Sequence, residues 1–227
     1  MGDKRFSVAI DGPSGAGKST IAKAVAERFG FIYVDTGAIY RTVGLAAARA
    51  GVDPEDPAAV TALLPSLDIA LSHREDGLQH MHLNGEDVSA EIRTPAISRY
   101  ASRVSAIPAV RAFLMDTQRD MARRTSVIMD GRDIGTVVLP DASLKIFLTA
   151  SPETRGRRRF AELKEKGQDI SLEEVLRDMA ERDKNDSTRA AAPLRAAEDA
   201  VLVDTSELTL AESIDAVAEL VQRRLGA

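Results

Sequence analysis

One short run of residues restricts the possible folds of this chain more than any other, because it matches the pattern G-x-x-x-x-G-K-[S/T] at positions 12–19. This pattern is typical of a loop that binds the phosphates of a nucleoside triphosphate. Its glycines let successive backbone N–H groups turn toward one anion, while Lys18 reaches the β- and γ-phosphates and the Ser19 hydroxyl is placed to bind Mg²⁺. We therefore expect a site for ATP or GTP formed by Gly12, Pro13, Ser14, Gly15, Ala16, Gly17, Lys18, Ser19 and Thr20.

The segments on either side of this loop fit the same interpretation. Residues 6–11 form a short apolar run, as a buried strand does. After the loop, apolar residues recur at helical spacing and Gly30 follows as a helix stop; they are Ile21, Ala22, Val25, Ala26 and Phe29. The N-terminus of that helix would direct its partial positive charge at the phosphates.

Five short apolar runs predict the strands of a parallel sheet, since strands that are covered on both faces lack alternation of polar and apolar residues. They are residues 6–10, 31–34, 127–129, 144–148 and 201–203. Helix starts lie between the runs: Thr94 and Ser151 each precede a proline, and Ser171 and Thr209 each stand three residues before a glutamate. The alternation of strands and helices predicts an α/β fold, a doubly wound five-stranded parallel sheet like that of P-loop NTPases.

Two segments interrupt this alternation. Residues 54–93 combine early prolines with pieces of alternating polarity and the turn signal Asn84-Gly85, which predicts a small antiparallel insertion. That insertion is either a lid over a second substrate or a segment with a purely structural role. Residues 151–195 predict a helical pair rich in arginine, which is either a second lid or a solvated, charged surface. We expect one domain with a core (1–53, 94–150 and 196–227), the insertion (about 54–93) and the lid (about 151–195).

The composition limits the possible partners and compartments. The net charge of −5 argues against nonspecific binding to nucleic acid. The chain has no cysteine, which excludes disulfides and thiolate metal sites and is compatible with a reducing compartment. No apolar run approaches the ~18 residues of a membrane span, and the first residues lack a signal-peptide core. We therefore expect a cytoplasmic protein without a membrane partner. No heptad pattern or apolar stripe indicates assembly, so we expect a monomer.

Arginine-rich segments suggest transfer of a phosphoryl group. In this chemistry the protein mainly aligns the reactants and neutralises charge, and a single arginine on the transition state is worth roughly 10³ to 10⁵ in rate. Residues 35–41 and 130–135 follow two predicted strands, and each combines an arginine with a nearby carboxylate and a glycine. Ligands collect at the carboxyl ends of parallel strands, so these segments are candidates for binding an acceptor phosphate.

Asp11, Asp35 and Asp130 each close a predicted strand. Each can cap a turn, or one of them can hold water on Mg²⁺, as an acid at the end of a neighbouring strand does in many P-loop proteins. We choose Asp130 for this role, together with Ser19 as a direct ligand.

In combination, five motifs resemble the bacterial cytidylate kinase family across almost the whole chain. They are G-P-S-G-A-G-K-S-T at 12–20, D-T-G-A-I-Y-R at 35–41, residues 102–111, D-G-R-D-I-G-T-V-V at 130–138, and E-R-D with D-S-T-R at 181–189. The second and fourth together separate this family from other P-loop kinases. The resemblance implies a monomeric enzyme with a core, a nucleotide-binding insertion and a lid, which transfers the γ-phosphoryl group of MgATP to CMP or dCMP.

The resemblance also implies roles for individual residues. Arg41, Arg132 and Arg189 would hold the acceptor phosphate, and Ser102, Arg111 and Asp133 would read cytosine. Asp186 would bind the sugar hydroxyls beside Arg182, and Arg158 would reach toward ATP. Thr36 and Tyr40 belong to the same substrate-binding motif, with threonine at position 36 where the family most often has serine. These assignments suit cytosine, whose N4 is a donor and whose O2 and N3 are acceptors.

Other functions stay open at this point. Another P-loop kinase, for a different nucleoside monophosphate or a metabolite such as shikimate, would share the loop and the arginines. A GTP-dependent switch is disfavoured because the chain has no N-K-x-D stretch to read guanine. Metal binding by His73, His80 and His82 is a further alternative, but no cysteine accompanies these histidines.

Overall fold

The strands coincide with the apolar runs of the sequence, to within one or two residues. The computed structural model of the protein describes residues 5–73 and 79–226. The strands in this part of the chain are β1 (Ser7–Asp11), β2 (Ile32–Asp35), β3 (Ile69–His73), β4 (Gln79–Leu83), β5 (Glu86–Asp87), β6 (Val127–Gly131), β7 (Leu144–Thr149) and β8 (Val201–Asp204). Five of them form a parallel sheet in the order β2-β6-β1-β7-β8, and β3, β4 and β5 form a separate antiparallel sheet. The predicted fold class is confirmed.

The α-helices in the described part of the chain are α1 (Lys18–Phe29), α2 (Thr36–Arg49), α3 (Pro57–Leu63), α4 (Pro95–Val104), α5 (Pro108–Arg124), α6 (Pro152–Glu165), α7 (Leu172–Thr188) and α8 (Leu210–Leu225). Four of the helices, α4, α6, α7 and α8, begin where the capping signals predicted. The side chains of Thr94 and Ser151 cap α4 and α6, and capping boxes start α7 and α8 at Ser171 and Thr209. Gly30 ends α1 in the left-handed conformation. Single turns of other helix types lie at Leu64–Ser66, Glu91–Arg93 and Ile134–Val138.

The chain divides into two compact units. Unit 1 comprises Met1–Tyr33 and Ala122–Ala227, and unit 2 comprises Val34–Met121. The expected division into core, insertion and lid is drawn at other boundaries and remains a prediction.

Unit 1 is built around the central strands of the parallel sheet. Val8, Ile10, Ile128, Ile146 and Leu148 are buried on β1, β6 and β7. Two helices, α1 and α8, pack apolar residues against these strands. The residues are Ile21, Ala22, Val25 and Ala26 of α1 and Val217, Ala218 and Val221 of α8. This packing fixes the end of β1, where the phosphate-binding loop begins.

A second, smaller core joins α6 to α7 within unit 1. Leu163 of α6 is buried with Val175 and Met179 of α7. The two helices approach closely at Gly156, since a Cβ atom at this position would lie 2.3 Å from Leu176 Cδ2. The pair therefore packs as one element and carries the arginine-rich segments on it.

Unit 2 contains the predicted antiparallel insertion. In β3 and β4, the partners are Ile69 with Leu83 and His73 with Gln79, and the tight turn at Asn84-Gly85 leads into β5. Residues 74–78 of the insertion lie outside the described residues. Helices α2 and α4 cross closely at Gly44, where a Cβ atom would lie 2.9 Å from the Ala101 backbone nitrogen.

Candidate functional site

The loop between β1 and α1 has a backbone that only glycine tolerates at its first position. Gly12 has φ of 149°, and a Cβ atom there would lie 1.9 Å from the carbonyl oxygen of Leu148 on β7. Lys18 starts α1, and its Nζ donates to the carbonyl oxygen of Pro13 at 2.8 Å. The lysine thus lies folded along the loop that the sequence predicts to bind phosphate.

The Lys18 ammonium is buried among other charges. Burial and the neighbouring positive charge of Arg132 hold the pKa of Lys18 well below its ordinary value, and Asp130 opposes them. Arg182 adds further positive charge near the same lysine. An arriving polyanion would stabilise every member of this group, because each positive charge now raises the electrostatic energy of the others.

The pair that the sequence predicts for Mg²⁺ lies together in the structure. Ser19 Oγ donates to Asp130 Oδ2 at 2.9 Å. The second oxygen of Asp130 accepts from the Tyr33 hydroxyl, also at 2.9 Å. A hydroxyl and a carboxylate are the oxygen ligands that Mg²⁺ prefers, so these residues fit the ion at the start of α1. Tyr33 had no sequence motif to identify it.

Two arginine–carboxylate pairs join the segment that follows β6 to the end of α7. Arg132 Nε donates to Asp186 Oδ2 at 2.8 Å, and Arg189 Nη2 donates to Asp133 Oδ1 at 2.9 Å. The second pair is almost fully buried, with side chains 6% and 5% exposed. Burial alone would raise the pKa of Asp186, but the charges of Arg132 and Arg182 outweigh it and lower the pKa. The structure thus brings motif 130–138 of the sequence together with the end of α7.

Asp11 holds the segment that carries Asp133. Its two carboxylate oxygens accept from the backbone N–H groups of Ile134 and Gly135, each at 2.8 Å. The sequence left open whether Asp11 caps a turn or helps to hold magnesium. In the structure it caps the turn Ile134–Val138.

Helix α6 contacts the phosphate-binding loop through Arg155, which the sequence analysis did not single out. Arg155 Nη1 donates to the carbonyl oxygen of Ser14 at 3.0 Å and to Asp183 Oδ2 at 2.6 Å. Its Nε donates to the carbonyl oxygen of Ala150 at 3.0 Å. One buried guanidinium therefore ties together the loop, the end of β7 and α7. The signal that could have found it is the position of Arg155 about two turns before the buried Leu163, on the same side of α6.

Arg158, which the sequence directs toward ATP, lies beside the segment that follows β8. Its Nη1 donates to Thr205 Oγ1 at 3.1 Å, and its Nη2 donates to the carbonyl oxygen of Thr205 at 2.7 Å. The two arginines therefore contact different segments, although both belong to the first turns of α6: Arg155 contacts the phosphate-binding loop, and Arg158 contacts the segment after β8.

Unit 2 contains the other predicted substrate residues. Asp35 caps α2 by accepting from the Ala38 N–H, and Arg41 Nη2 donates to its Oδ2 at 2.7 Å. Burial alone would raise the pKa of Asp35, but Arg41 lowers it below its ordinary value. Thr36, the first residue of α2, is buried. Gln79, which sequence reasoning missed, pairs with the backbone of Asp35 through both its amide atoms, at 2.8 and 3.1 Å.

A second group in unit 2 joins α2 to α5. The guanidinium carbon of Arg111 lies 5.6 Å from the centre of the Tyr40 ring. Arg111 Nη1 donates to the carbonyl oxygen of Ser105 at 3.3 Å. Ser102 lies half-buried on α4, one turn before Ser105. These three predicted residues thus belong to the same unit as Arg41.

The histidine alternative receives no support from the geometry. His82 Nε2 lies 3.0 Å from Ser72 Oγ, and His80 Nδ1 lies 3.0 Å from Asp87 Oδ2. Among the described residues, no three histidine, aspartate or glutamate side chains are grouped as they would be to hold a metal ion. In residues 5–73 and 79–226, no helix has the length and apolarity that crossing a membrane requires.

The chain is similar to cytidylate kinases over its whole length. The family model described as cytidylate kinase matches residues 8–223. The cytidylate kinase of Geobacter sulfurreducens is 52% identical over 98% of this chain and 95% of its own length. That of Caldicellulosiruptor bescii is 50% identical over 96% of each chain. An uncharacterized protein from Eubacterium ventriosum has a similar crystal structure, with a TM-score of 0.50 and 12% identity over 98% of this chain and 99% of its own. The last likeness concerns the fold alone.

Proposed function

The chain belongs to the cytidylate kinase family, and from that premise we propose how its residues carry out the reaction. The protein is an ATP-dependent kinase that phosphorylates CMP and dCMP. The single observation that carries this conclusion is the identity of 52% with a cytidylate kinase across nearly the full length of both chains. Kinases for other nucleotides or for metabolites are not favoured, because they would share the phosphate loop without the other family motifs.

The donor side of the site suits ATP with Mg²⁺. We expect the backbone N–H groups of residues 12–20 to bind the phosphates, with Lys18 exchanging the carbonyl of Pro13 for phosphate oxygens. Ser19 would bind Mg²⁺ directly, and Asp130 would hold it through water. Bound there, the ion neutralises charge on the phosphates. Arg158 would contact ATP from α6.

The acceptor side suits a nucleoside monophosphate. Arg132 and Arg189 would bind its phosphate, since each is now paired with a carboxylate that a doubly charged phosphate can replace. Asp186 would then accept from the sugar hydroxyls, with Arg182 beside it. For Arg41, Thr36 and Tyr40, the proposal rests on the resemblance to the family. Lys18, Arg41, Arg132, Arg158, Arg182 and Arg189 would together neutralise the transferred group.

Asp133 would select cytosine over uracil. The N4 amino group of cytosine donates to a carboxylate, whereas uracil presents a carbonyl oxygen there. A buried carboxylate that faces an acceptor costs about 1 to 3 kcal/mol, which is roughly a ten- to hundredfold preference. Ser102 and Arg111 are proposed for the O2 and N3 acceptors on the resemblance alone.

We also propose that residues 151–195 form a lid and residues 54–93 a nucleotide-binding insertion. A lid that excludes water would prevent hydrolysis of ATP before the acceptor binds. A monomer in the cytoplasm with nucleotides as its only partners remains our expectation, supported by the net charge of −5 and the absence of cysteine.

The experiment that tests this function is release of ADP from MgATP in the presence of CMP, dCMP, UMP, AMP or no acceptor. We expect fast release with CMP and dCMP, slow release with UMP, and little without an acceptor. The variant Asp133→Ala should reduce the preference for CMP over UMP by at least about tenfold. Equal turnover of UMP and CMP by the unmodified protein would contradict the role of Asp133. Fast release without an acceptor would indicate a hydrolase.

A further inference from the structure

The turn Ile134–Val138 has an aspartate at its N-cap position that does not cap it. Asp133 precedes the turn, and its backbone carbonyl accepts from the N–H groups of Val137 and Val138, as an N-cap residue does. An aspartate at this position ordinarily uses its side chain to accept from the first N–H groups of the helix. Within the described part of the chain, the Asp133 side chain makes no such capping bond.

The capping carboxylate comes instead from Asp11, more than a hundred residues earlier in the sequence. Its Oδ1 accepts from the Ile134 N–H and its Oδ2 from the Gly135 N–H, both at 2.8 Å. Asp11 is 3% exposed and ends β1, so its position is fixed by the centre of the sheet. Each of its oxygens is used by one N–H group, and the start of the turn therefore needs no second carboxylate.

The consequence concerns the side chain of Asp133. Its Oδ1 accepts from Arg189 Nη2, and the pair is nearly buried. A carboxylate that also had to cap its own turn would point back along the backbone and could not face Arg189 or a substrate with the same oxygens. Because Asp11 caps the turn, the carboxylate of Asp133 does not have to cap the turn and face Arg189 or a substrate at the same time.

We propose that Asp11 is a positioning residue for base selection: by capping the turn Ile134–Val138 it leaves the carboxylate of Asp133 for the acceptor base. This inference rests on the proposed role of Asp133 in reading cytosine. Asp11 also immediately precedes Gly12, so the same side chain ties the start of the phosphate-binding loop to the segment that carries Arg132 and Asp133.

Loss of the Asp11 carboxylate should therefore change selectivity more than it changes ATP binding. In Asp11→Asn the side chain keeps its size but presents an amide donor to one of the two N–H groups. Asp133 is then the carboxylate best placed to cap the turn. We expect the ratio of kcat/KM for CMP to that for UMP to fall about tenfold, while the Kd for ATP changes less than about threefold.

The matched control is Glu212→Gln. Glu212 also serves the start of a helix with its carboxylate, whose Oε2 accepts from the backbone N–H of Thr209, and this exposed cap of α8 lies outside the proposed insertion and lid. The same change of a carboxylate to an amide there should leave the CMP to UMP ratio unaltered. A fall of the ratio in Glu212→Gln equal to that in Asp11→Asn would overturn the proposal.

A double variant separates the failure of this inference from the failure of the proposed function. If Asp11 acts through Asp133, then Asp11→Asn should lower the ratio in the unmodified protein but not in the Asp133→Ala background. An equal fall in both backgrounds, or no fall in the unmodified protein, overturns the role of Asp11. If Asp133→Ala itself leaves the ratio unchanged, the cytosine-reading assignment is what has failed, and the inference fails with it.

A measurement on the unmodified protein covers the case in which Asp11→Asn does not fold. The amides of Ile134 and Gly135 should exchange with deuterium as slowly as amides within the sheet, because a buried carboxylate holds both. Exchange as fast as that of exposed loop amides would show that the cap is not maintained in solution and would overturn the proposal.

Discussion

At the scale of single residues, the carboxyl group of Asp11 has an unusual pKa. Burial raises the pKa of its carboxyl to about 6, against the lowering effect of the N–H groups of Gly135 and Ile134 and of the Lys18 charge; the charge of Asp133 raises it further. Between about pH 4 and 6 the folded protein therefore binds a proton at Asp11 that the unfolded chain does not. The contribution of this group to stability is largest at the acidic end of that window and is lost as the pH rises through 6.

We predict that the stability of the unmodified protein, relative to that of Asp11→Asn, falls by about 2 kcal/mol between pH 4.5 and 7.5. Asparagine does not titrate, so the difference isolates the Asp11 carboxyl from all other groups. Urea unfolding of both proteins at a series of pH values measures it. A difference that stays constant with pH would show that burial does not perturb this carboxyl.

At the scale of elements, α6 and the phosphate-binding loop are joined by one guanidinium. Arg155 donates to the Ser14 carbonyl, to Ala150 and to Asp183, so it fixes α6 and α7 against the loop at three points. Gly15 packs into the same contact, because a Cβ atom there would lie 2.7 Å from Met179 Cε. The conformation of the loop and the position of the helical pair are therefore expected to depend on each other.

Replacing Arg155 with methionine keeps the side chain out to about the position of Nε and removes all three hydrogen bonds. Hydrogen bonds to charged groups are worth about 1.5 to 3 kcal/mol, so we expect the Kd for ATP to rise roughly ten- to hundredfold. Isothermal titration calorimetry measures it. Arg157→Met is the control, since Arg157 is exposed on the same helix and should leave the Kd unchanged. Equal effects of the two variants would argue for the loss of charge rather than of the three contacts.

Local sequence patterns allowed the helices and strands of this fold to be predicted. They did not reveal the contacts between segments that are distant in the sequence. The capping boxes at Ser171 and Thr209 span four residues each, so the sequence displays them completely. The strand order, and the hydrogen bond that the Ile134 N–H donates to Asp11, involve segments that are far apart in the sequence and that only the sheet brings together. Local patterns did not separate the four arginines at positions 155–159, of which the family resemblance alone selected Arg158, because the face that α6 buries decides which of them is fixed.

The whole molecule is acidic, and three arginines of unit 1 are paired with carboxylates. The net charge is −5, while Arg132, Arg155 and Arg189 each donate to a carboxylate at 2.6–2.9 Å. A long polyanion would approach a molecule whose net charge has its own sign. A small phosphate, in contrast, can enter a cluster and replace the carboxylates one at a time. The overall negative charge therefore disfavours long polyanions, whereas the paired arginines of unit 1 favour small phosphates.

This difference predicts a weak dependence on salt. Buried charge pairs are screened much less than exposed ones, since the Debye length falls only from about 14 Å to about 7 Å between 50 and 200 mM salt and counterions do not enter the cluster. We expect the KM for CMP to change less than about threefold over this range, and duplex DNA not to be retained in a gel-shift assay even at 50 mM. A protein that binds nucleic acid through several phosphate contacts would lose roughly 10³-fold or more in affinity over the same range. A comparably steep rise of the KM for CMP would indicate that the acceptor phosphate is bound by exposed cations rather than by the buried arginines of unit 1.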